Sequence, residues 1–537
     1  MEKCSKAGGR SCAVIEVPFS RIGMAFTVAD SRPESNQRTR QFTTKGLFYR
    51  DKRCIFSFYS CGYIRNSSRE HDLSTLLQVQ DFERGFLKAK PVSGPGQRPQ
   101  SVAEMDVRQG VLENLALKTI FLSGTLSLLE LSENLGLSFA VTGELLDRLR
   151  TEMLCTVSGM SGNIAQIAIT SQGRNRAGEL LSRNHYSSRA PVSLESYVDQ
   201  IRKQSVQKVS VHSEDVERAF AHLVVDQQTL RQFGTALNSG TSIFLYGPPG
   251  TGKTTMAEVL SRVLAEDEVW IPYAVEVDGQ IITIYDPHIH KRRAESEPGN
   301  HDKRWVLCQR PAVLVGGELT AEMLDLQFNP VTKYYSAPAQ VKANNGVLII
   351  DDFGRQRISP EQLLNRWIVP LDRRIDFLTL AGGKTIEVPF EMLVVFSSNI
   401  EPSELVDESF LRRIQTKIKL GAVTDEQFCE IFRRAASERQ VPFDPNIPQD
   451  LIEFIQETLG QELRSCYPRD ILNQVCWSAR YEDRKPYLDI ASLTQAIDAY
   501  FPMKSDRPAP DVSLIFSSME KRAGQRFGVR TAGLASA

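Results

Sequence analysis

A short segment in the middle of the chain, residues 242–255, constrains the fold more than any other part of the sequence. It reads SIFLYGPPGTGKTT, in which the apolar run 243–246 precedes a full match to G-x-x-x-x-G-K-[ST]. The run has the length and bulk of a buried parallel strand, and residues 256–260 continue as a helical pattern. A strand, a glycine-rich loop and a helix in this order are the structural context of a P-loop, which binds nucleotide phosphates.

The motif assigns a role to several of its residues. Backbone N–H groups of the loop converge on phosphate oxygens, and the positive end of the helix dipole strengthens their attraction. Lys253 is expected to reach the β- and γ-phosphates, and the Thr254 hydroxyl group to bind Mg²⁺. The sequence therefore predicts an ATP and Mg²⁺ site whose nucleotide-binding residues are Gly247, Pro248, Pro249, Gly250, Thr251, Gly252, Lys253, Thr254 and Thr255.

A second apolar run, residues 347–350, ends in the paired carboxylates of Asp351 and Asp352. A buried strand that delivers two acids beside a P-loop is a Walker B arrangement. Asp351 is expected to hold Mg²⁺, mostly through the water shell of the ion, because Mg²⁺ dehydrates reluctantly. Asp352 is expected to polarise the attacking water.

The length and composition of the chain limit its class. A chain of 537 residues exceeds the size of one ordinary core, so several domains are expected. The formal net charge of −1 argues against a protein that coats nucleic acid with its whole surface. The nine scattered cysteines include no C-x-x-C pair, which favours reduced thiols. Without a signal peptide or an apolar run of roughly 18 residues, the sequence predicts a cytoplasmic protein that does not insert into membranes.

Residues 1–104 give the least specific prediction. They carry an excess of basic residues and a short apolar run at 54–59, and they end in a linker rich in proline and glycine at 91–99. Two interpretations stay open. The segment is either a native domain of unknown structure or a stretch that precedes a functional start at Met105.

Residues 105–200 predict a separate module. Apolar spacing indicates helices near 111–121, 126–131 and 138–149, then strands at 153–157 and 164–170 joined by a turn, and a helix from Ser171. Three helices followed by a hairpin resemble a winged helix-turn-helix. The third helix carries Glu144 and Asp147 beside its arginines, and the hairpin turn has no Lys or Arg to meet phosphates. DNA as a partner stays open, but docking of a protein is favoured.

Residues 213–501 resemble the AAA+ ATPases. Residues 393–399, LVVFSSN, are similar to the sensor-1 strand; residues 410–414, FLRRI, to the arginine-finger segment; and residues 467–472, YPRDIL, to sensor 2. The resemblance implies ATP hydrolysis in which Asp352 and Asn399 act on the water, Arg469 reaches the phosphates from the lid, and Arg413 enters the site of a neighbouring subunit. It also implies a homo-hexamer.

The resemblance completes the predicted fold class, which is α/β. A parallel P-loop AAA+ core (201–423) carries a helical lid (424–502) and a flexible tail (503–537), and the winged helix-turn-helix-like domain (105–200) precedes it. Residues 374–388 form a hairpin pattern between Walker B and sensor 1, similar to the pre-sensor-1 hairpin branch that includes the MoxR-like proteins. This branch implies a chaperone that remodels or assembles a macromolecular partner, although the sequence does not name the protein client.

Two rival functions stay open. One is an ATP-gated DNA-binding regulator that uses the winged-helix-like module, although the GAFTGA loop of σ54-type activators is absent from the sequence. The other is a scaffold that binds ATP and scarcely hydrolyses it.

AAA+ proteins usually carry Glu where this chain has Asp352, which shortens the side chain by about 1.5 Å. Since an error near 1 Å can cost on the order of 10²-fold in rate, either the strand lies closer to the phosphate or hydrolysis is slow.

Overall fold

The computed structural model describes residues 12–18, 48–50, 53–59, 94–161, 164–293, 301–405, 407–442 and 444–501. The chain divides into two compact units, Met1–Phe86 and Leu87–Ala537. Within the first unit an antiparallel sheet has β3 in the middle; its strands are β1 (Cys12–Pro18), β2 (Phe48–Arg50) and β3 (Arg53–Tyr59). The apolar run at 54–59 therefore lies in a strand, whereas the predicted tail from residue 503 lies outside the described residues.

The second unit begins with a helical module. Its elements are a 3₁₀ turn (Val102–Glu104), α1 (Gln109–Ser123), β4 (Leu126–Ser127), α2 (Leu128–Leu135), α3 (Phe139–Thr151), β5 (Cys155–Ser161), β6 (Ile164–Ile169) and α4 (Ser171–Arg183). Side-chain oxygens of Ser127, Ser138 and Thr170 accept backbone N–H bonds at the starts of α2, α3 and α4, as N-cap residues do. The first strand of the hairpin was predicted to begin at Met153. It begins two residues later because Met153 has a φ of 58°, a left-handed conformation incompatible with a strand.

The chain then enters the P-loop region. Its elements are β7 (Val192–Ser193), α5 (Leu194–Lys203), a 3₁₀ turn (Val206–Lys208), α6 (Ser213–Phe220), α7 (Gln227–Ser239), β8 (Ser242–Tyr246) and α8 (Lys253–Leu264). Two helices, α6 and α7, precede the P-loop strand, and the Asp226 carboxylate caps the second by accepting the Thr229 N–H bond.

A long segment, called the insertion below, separates α8 from the Walker B strand. Its elements are β9 (Glu268–Pro272), β10 (Ala274–Val277), β11 (Gln280–Thr283), β12 (Trp305–Gln309), β13 (Ala312–Val315), a 3₁₀ turn (Glu322–Leu324), β14 (Gln327–Phe328), β15 (Tyr335–Ser336) and α9 (Ala339–Lys342). Strand β13 of the insertion joins the main sheet. Asp278 and Gly279 join β10 to β11 with φ values of 50° and 83°, and a two-residue type I′ hairpin requires positive φ at both positions.

The second half of the core follows the insertion. Its elements are β16 (Val347–Ile350), α10 (Pro360–Arg366), α11 (Ile368–Arg373), β17 (Ile375–Thr379), β18 (Thr385–Pro389), β19 (Leu393–Ser398), α12 (Pro402–Leu405), α13 (Glu408–Leu411) and β20 (Thr416–Lys419). Strands β17 and β18 pair as the predicted hairpin. The Walker B and sensor-1 runs are strands β16 and β19, as predicted.

In the described part of the chain the main sheet has five parallel strands in the order β13, β16, β19, β8, β20. Strand β8 is interior, and Ile243, Phe244 and Leu245 are fully buried in it. Their bulk suits a strand that is covered on both faces. Leu260 of α8 packs in the hydrophobic core on one side, and Leu363 of α10 packs in the core on the other. The sheet and its P-loop match the predicted P-loop AAA+ core.

The last described segment is a helical lid with its own core. Its elements are α14 (Asp425–Glu438), α15 (Ile447–Glu453), one π-helical turn (Phe454–Thr458), α16 (Cys466–Tyr481) and α17 (Ile490–Tyr500). Phe428, Phe432 and Ile471 are fully buried among these helices. Over the described residues, no helix combines the length and apolarity needed to cross a membrane.

The helical module is packed against the insertion. Ala274 and Ile281 of the β10–β11 hairpin lie in the same hydrophobic core as the module's leucines. The Arg304 side chain is 4% exposed and donates from Nη1 to Asp106 Oδ1 at 2.5 Å, while its Nη2 lies 2.7 Å from Asp302 Oδ2. The shared hydrophobic core and the Arg304–Asp106 pair attach the module to the insertion.

Candidate nucleotide site

The loop between β8 and α8 has the backbone geometry that its glycines permit. Gly247, Gly250 and Gly252 have φ values of 144°, 81° and 89°. A Cβ atom on Gly247 would lie 2.0 Å from the carbonyl oxygen of Leu420, so no other residue fits there. Thr251 Oγ1 closes the loop by donating to the Pro248 carbonyl oxygen at 3.0 Å.

Lys253 places its ammonium group inside this loop. Its side chain is buried, and Nζ donates to the carbonyl oxygens of Gly247 and Pro248 at 3.0 and 2.8 Å. Burial lowers the pKa of Lys253, and the negative charges of Asp352 and Asp351 act in the opposite direction. The loop therefore holds a cationic donor where the motif needs it for phosphate.

Thr254 and Asp351 meet at the carboxyl edge of the sheet. Thr254 Oγ1 lies 3.0 and 2.8 Å from the two carboxylate oxygens of Asp351, although the residues are 97 positions apart. They meet because β16 and β8 both pair with β19 in parallel. Within the described residues no group of three His, Cys, Asp or Glu side chains could hold a metal. A hydroxyl and a carboxylate fit Mg²⁺, which usually takes one or two protein oxygens and keeps several waters.

Asp352 and Asn399 face each other at the ends of neighbouring strands. Asn399 Nδ2 donates to Asp352 Oδ1 at 3.0 Å. Asp352 has a φ of 48°, in the left-handed region that Asp and Asn tolerate better than longer side chains. The backbone conformation therefore favours the short Asp side chain over Glu at this position.

The lid contacts the tip of the P-loop. The backbone N–H of Cys466 and the hydroxyl of Ser465 both donate to the Gly250 carbonyl oxygen, at 3.2 and 3.1 Å. Arg469, on the first turn of α16, lines a cavity that the P-loop also lines. Its side chain is 60% exposed, and its Nε donates to Asp470 Oδ1. The predicted sensor-2 arginine is thus at the mouth of the cavity.

These residues surround a cavity of about 510 Å³. The predicted residues that line it are Pro249, Gly250, Gly252, Lys253, Thr254, Thr255, Asp351, Asp352, Asn399 and Arg469. Gly247, Pro248 and Thr251 shape the loop from behind, without lining the cavity.

Part of the cavity lining was not predicted. It is lined by His222, Leu223 and Val224 from the loop after α6, and by Ile431 and Ala435 of α14. Arg434 joins the two segments, because its Nη1 donates to the carbonyl oxygens of Ala221 and Leu223 at 2.8 and 3.2 Å. No local motif marks these residues, but their apolar side chains suit a nucleoside base.

Arg413 lies away from the cavity of its own chain. Its side chain is 15% exposed, and its Nε donates to Asp372 Oδ2 at 2.9 Å. The guanidinium group stacks 5.7 Å from the ring centroid of Phe410, whereas the adjacent Arg412 is exposed. The structure does not bring Arg413 together with Lys253 and Asp352 within one subunit.

Comparisons with known proteins match parts of the chain. A family model described as a domain of unknown function (DUF8689) matches residues 424–499, which span the lid. No curated protein matches the chain. Similar solved structures include a point mutant of RuvB from Thermotoga maritima (13% identity, TM-score 0.30, covering 62% of this chain and 87% of that chain). They also include NtrX from Brucella abortus in complex with ADP (15% identity, TM-score 0.33, covering 59% of this chain and 64% of that chain). Matches at this TM-score do not assign an activity, and the fold assignment rests on the strand order and the P-loop.

Proposed function

We propose that this protein is an oligomeric, Mg²⁺-dependent ATPase that uses ATP binding and hydrolysis to remodel or assemble a macromolecular partner. One observation carries the proposal: a P-loop lysine, a Thr–Asp oxygen pair and an Asp–Asn pair line a single cavity large enough for a nucleotide. Each group has the chemistry that phosphoryl transfer to water requires.

The residues divide the work of hydrolysis. Lys253 binds the β- and γ-phosphates, and Thr254 and Asp351 would hold Mg²⁺, which when bound neutralises charge on the phosphate oxygens. Asn399 and Asp352 orient the water, whose oxygen forms a bond to the γ-phosphorus. The bond from that phosphorus to the bridging oxygen breaks, its electron pair stays on ADP, and the proton of the water passes to Asp352.

The position of Arg413 supports an oligomer. A transition-state arginine must contact the γ-phosphate, yet this side chain lies outside the cavity of its own chain. An arginine supplied by a neighbouring subunit meets this requirement, and the family resemblance implies a hexameric ring. Arg469, at the mouth of the cavity, acts from the lid of the same subunit.

The exposed surface of the helical module supports a protein partner. The module's own hairpin exposes Val157, Met160 and Ile164, with exposed fractions of 37%, 62% and 42%. Apolar side chains on this surface suit protein docking better than phosphate contacts. The module's attachment to the insertion through Arg304 gives it a physical link to the ATPase core. A MoxR-like chaperone role therefore ranks above an ATP-gated DNA-binding regulator.

The test is ATP binding and turnover by the full chain and by Lys253→Ala. The wild type should bind Mg-ATP and release phosphate, and the variant should lose high-affinity binding, because the P-loop lysine is the main point charge on the phosphates. Arg262→Ala is the matched control, since Arg262 lies on the same helix with a side chain that is 65% exposed and does not line the cavity. Equal affinities for wild type and Lys253→Ala would refute the nucleotide-site assignment.

A further inference from the structure

Asp372 and Arg413 form an ion pair, and neither residue lines the nucleotide cavity. Arg413 donates from Nε, and the Asp372 side chain is 43% exposed. Arg413 follows the short helix α13, and Asp372 is near the end of α11, 41 residues earlier. The pair thus joins the segment that carries the proposed trans arginine to the segment that leads into the β17–β18 hairpin.

Both ends of this pair are anchored in the core. Arg374, two residues after Asp372, donates from its terminal nitrogens to the carbonyl oxygens of Gly240 and Met392 at 2.7 and 3.2 Å. On the other side, Ser242 Oγ donates to the backbone carbonyl of Arg413 at 3.3 Å, and the Phe410 ring beneath the guanidinium group is buried. Arg374 therefore ties the segment that carries Asp372 to the core, and the Arg413 guanidinium group contacts the Asp372 carboxylate and the Phe410 ring.

The ion pair contributes little free energy, so its main effect is on the orientation of the Arg413 side chain. A partly exposed ion pair contributes little to the free energy of folding because solvent screens it. An arginine side chain has many rotamers, however, and a misplaced catalytic group can cost on the order of 10²-fold in rate. Because Nε is the nitrogen bonded to Asp372, the two terminal nitrogens lie farther out along the side chain. Those terminal nitrogens are the donors that would meet phosphate oxygens.

We propose that Asp372 is a positioning residue that orients Arg413 toward the γ-phosphate of the neighbouring subunit. Asp372 acts through Arg413 and touches no substrate. The inference rests on the proposed function, because it requires Arg413 to act across a subunit interface.

The test compares steady-state ATP hydrolysis by full-length Asp372→Asn, Arg413→Ala and the double variant. Asp372→Asn should lower kcat by roughly tenfold or more while the KM for ATP changes by less than about twofold, since orientation is lost and ground-state binding is not. In the Arg413→Ala background, Asp372→Asn should cause no further loss, because both changes remove one interaction. Asp372→Glu should restore part of kcat by supplying the carboxylate again.

Glu361→Gln is the matched control, an exposed carboxylate on the neighbouring helix α10 that should leave kcat unchanged. Melting temperatures and oligomeric state confirm that each variant is folded and assembled. Wild-type kcat for Asp372→Asn beside a large loss for Arg413→Ala overturns the role of Asp372 alone. A loss from Asp372→Asn that is equally large in the Arg413→Ala background also overturns it. Wild-type kcat for Arg413→Ala instead refutes the trans arginine of the proposed function, and the inference about Asp372 with it.

Discussion

Asn399 Nδ2 donates to Asp352 Oδ1 at 3.0 Å, so the proposed water-orienting side chain also holds the proposed base. Asp352 follows strand β16 and Asn399 follows strand β19, and the register of these strands pairs Ile350 with Phe396. Asp352 reaches its partner from a left-handed backbone conformation with a φ of 48°. The backbone conformation of Asp352 and the hydrogen bond from Asn399 thus hold its carboxylate in place.

Asp352→Asn tests whether this carboxylate is the base. Asn adopts the left-handed conformation as readily as Asp does, so the backbone should be kept. The variant should bind ATP with unchanged affinity and lose roughly 10²-fold or more in turnover, as expected when a general base is removed. Titration with ATP and a phosphate-release assay measure the two effects. Equal turnover for wild type and Asp352→Asn would remove Asp352 from the catalytic role.

The local motifs could be predicted from sequence because each carries its own structural context. The P-loop, the Walker B run and the sensor-1 run each combine an apolar strand with polar residues at its end, and parallel pairing brings those ends to one edge of the sheet. The conformation of Asp352 could not be predicted, because a left-handed φ at an Asp has no sequence signature of its own. The packing of the module was also missed, since Asp106 and Arg304 are 198 residues apart and belong to no motif.

Arg434→Ala tests the part of the cavity lining that was not predicted from the sequence. Removing Arg434 takes a donor from the carbonyl oxygens of Ala221 and Leu223 and loosens the loop that we expect to contact the nucleoside base. A hydrogen bond to a charged group is worth about 1.5–3 kcal/mol. ATP affinity should therefore fall by about tenfold or more, measured by titration, while turnover at saturation stays within about threefold.

Arg433→Ala is the control for that experiment. Arg433 and Arg434 both pair with the Glu430 carboxylate, but the Arg433 side chain is 54% exposed and does not line the cavity. Its removal should leave ATP affinity unchanged. If both variants lose the same affinity, the effect comes from Glu430 or from the stability of the lid, and Arg434 has no specific role at the nucleotide site.

His290 should make the insertion sensitive to acid. Its Nδ1 accepts the Asp286 N–H at 2.8 Å and its Nε2 lies 2.9 Å from the Lys342 carbonyl oxygen, and burial lowers its pKa from 6.5 to about 4. Nearby, Asp286 acts to raise this pKa and the Lys342 ammonium group acts to lower it. Since the folded pKa is depressed, the unfolded chain binds the proton first. Stability is fully present above pH 6.5 and falls between 6.5 and about 4, by up to about 1.4 kcal/mol per pH unit.

Melting temperatures at pH 7 and pH 5 measure this effect. The wild type should lose more stability on acidification than His290→Gln, which cannot take up the proton. His288→Gln should behave like the wild type, because His288 is exposed. The same acid loss in His290→Gln and in the wild type would mean that other groups control the acid sensitivity.

The last prediction concerns Arg413, the arginine that we propose acts across a subunit interface. Arg412 and Arg413 are adjacent, and the structure separates them: Arg413 is held by Asp372 and stacked on Phe410, whereas Arg412 is exposed. An anchored guanidinium group loses less freedom on meeting phosphate than an exposed one, which favours Arg413 as the trans arginine. Such an arginine is worth roughly 10³–10⁵ in rate and much less in binding. Arg413→Ala should therefore bind ATP nearly normally and lose most turnover, while Arg412→Ala keeps it.

Mixed oligomers decide between action in trans and in cis. A Lys253→Ala subunit cannot bind ATP well but still carries Arg413, and an Arg413→Ala subunit has an intact cavity of its own. When the two are mixed, some interfaces combine the intact cavity of one with the intact arginine of the other. Turnover should then exceed that of either variant alone. If the two co-assemble, as size-exclusion chromatography with a tagged subunit can establish, and turnover stays at the level of the separate variants, Arg413 acts within its own subunit or only in packing, and Arg412 becomes the candidate.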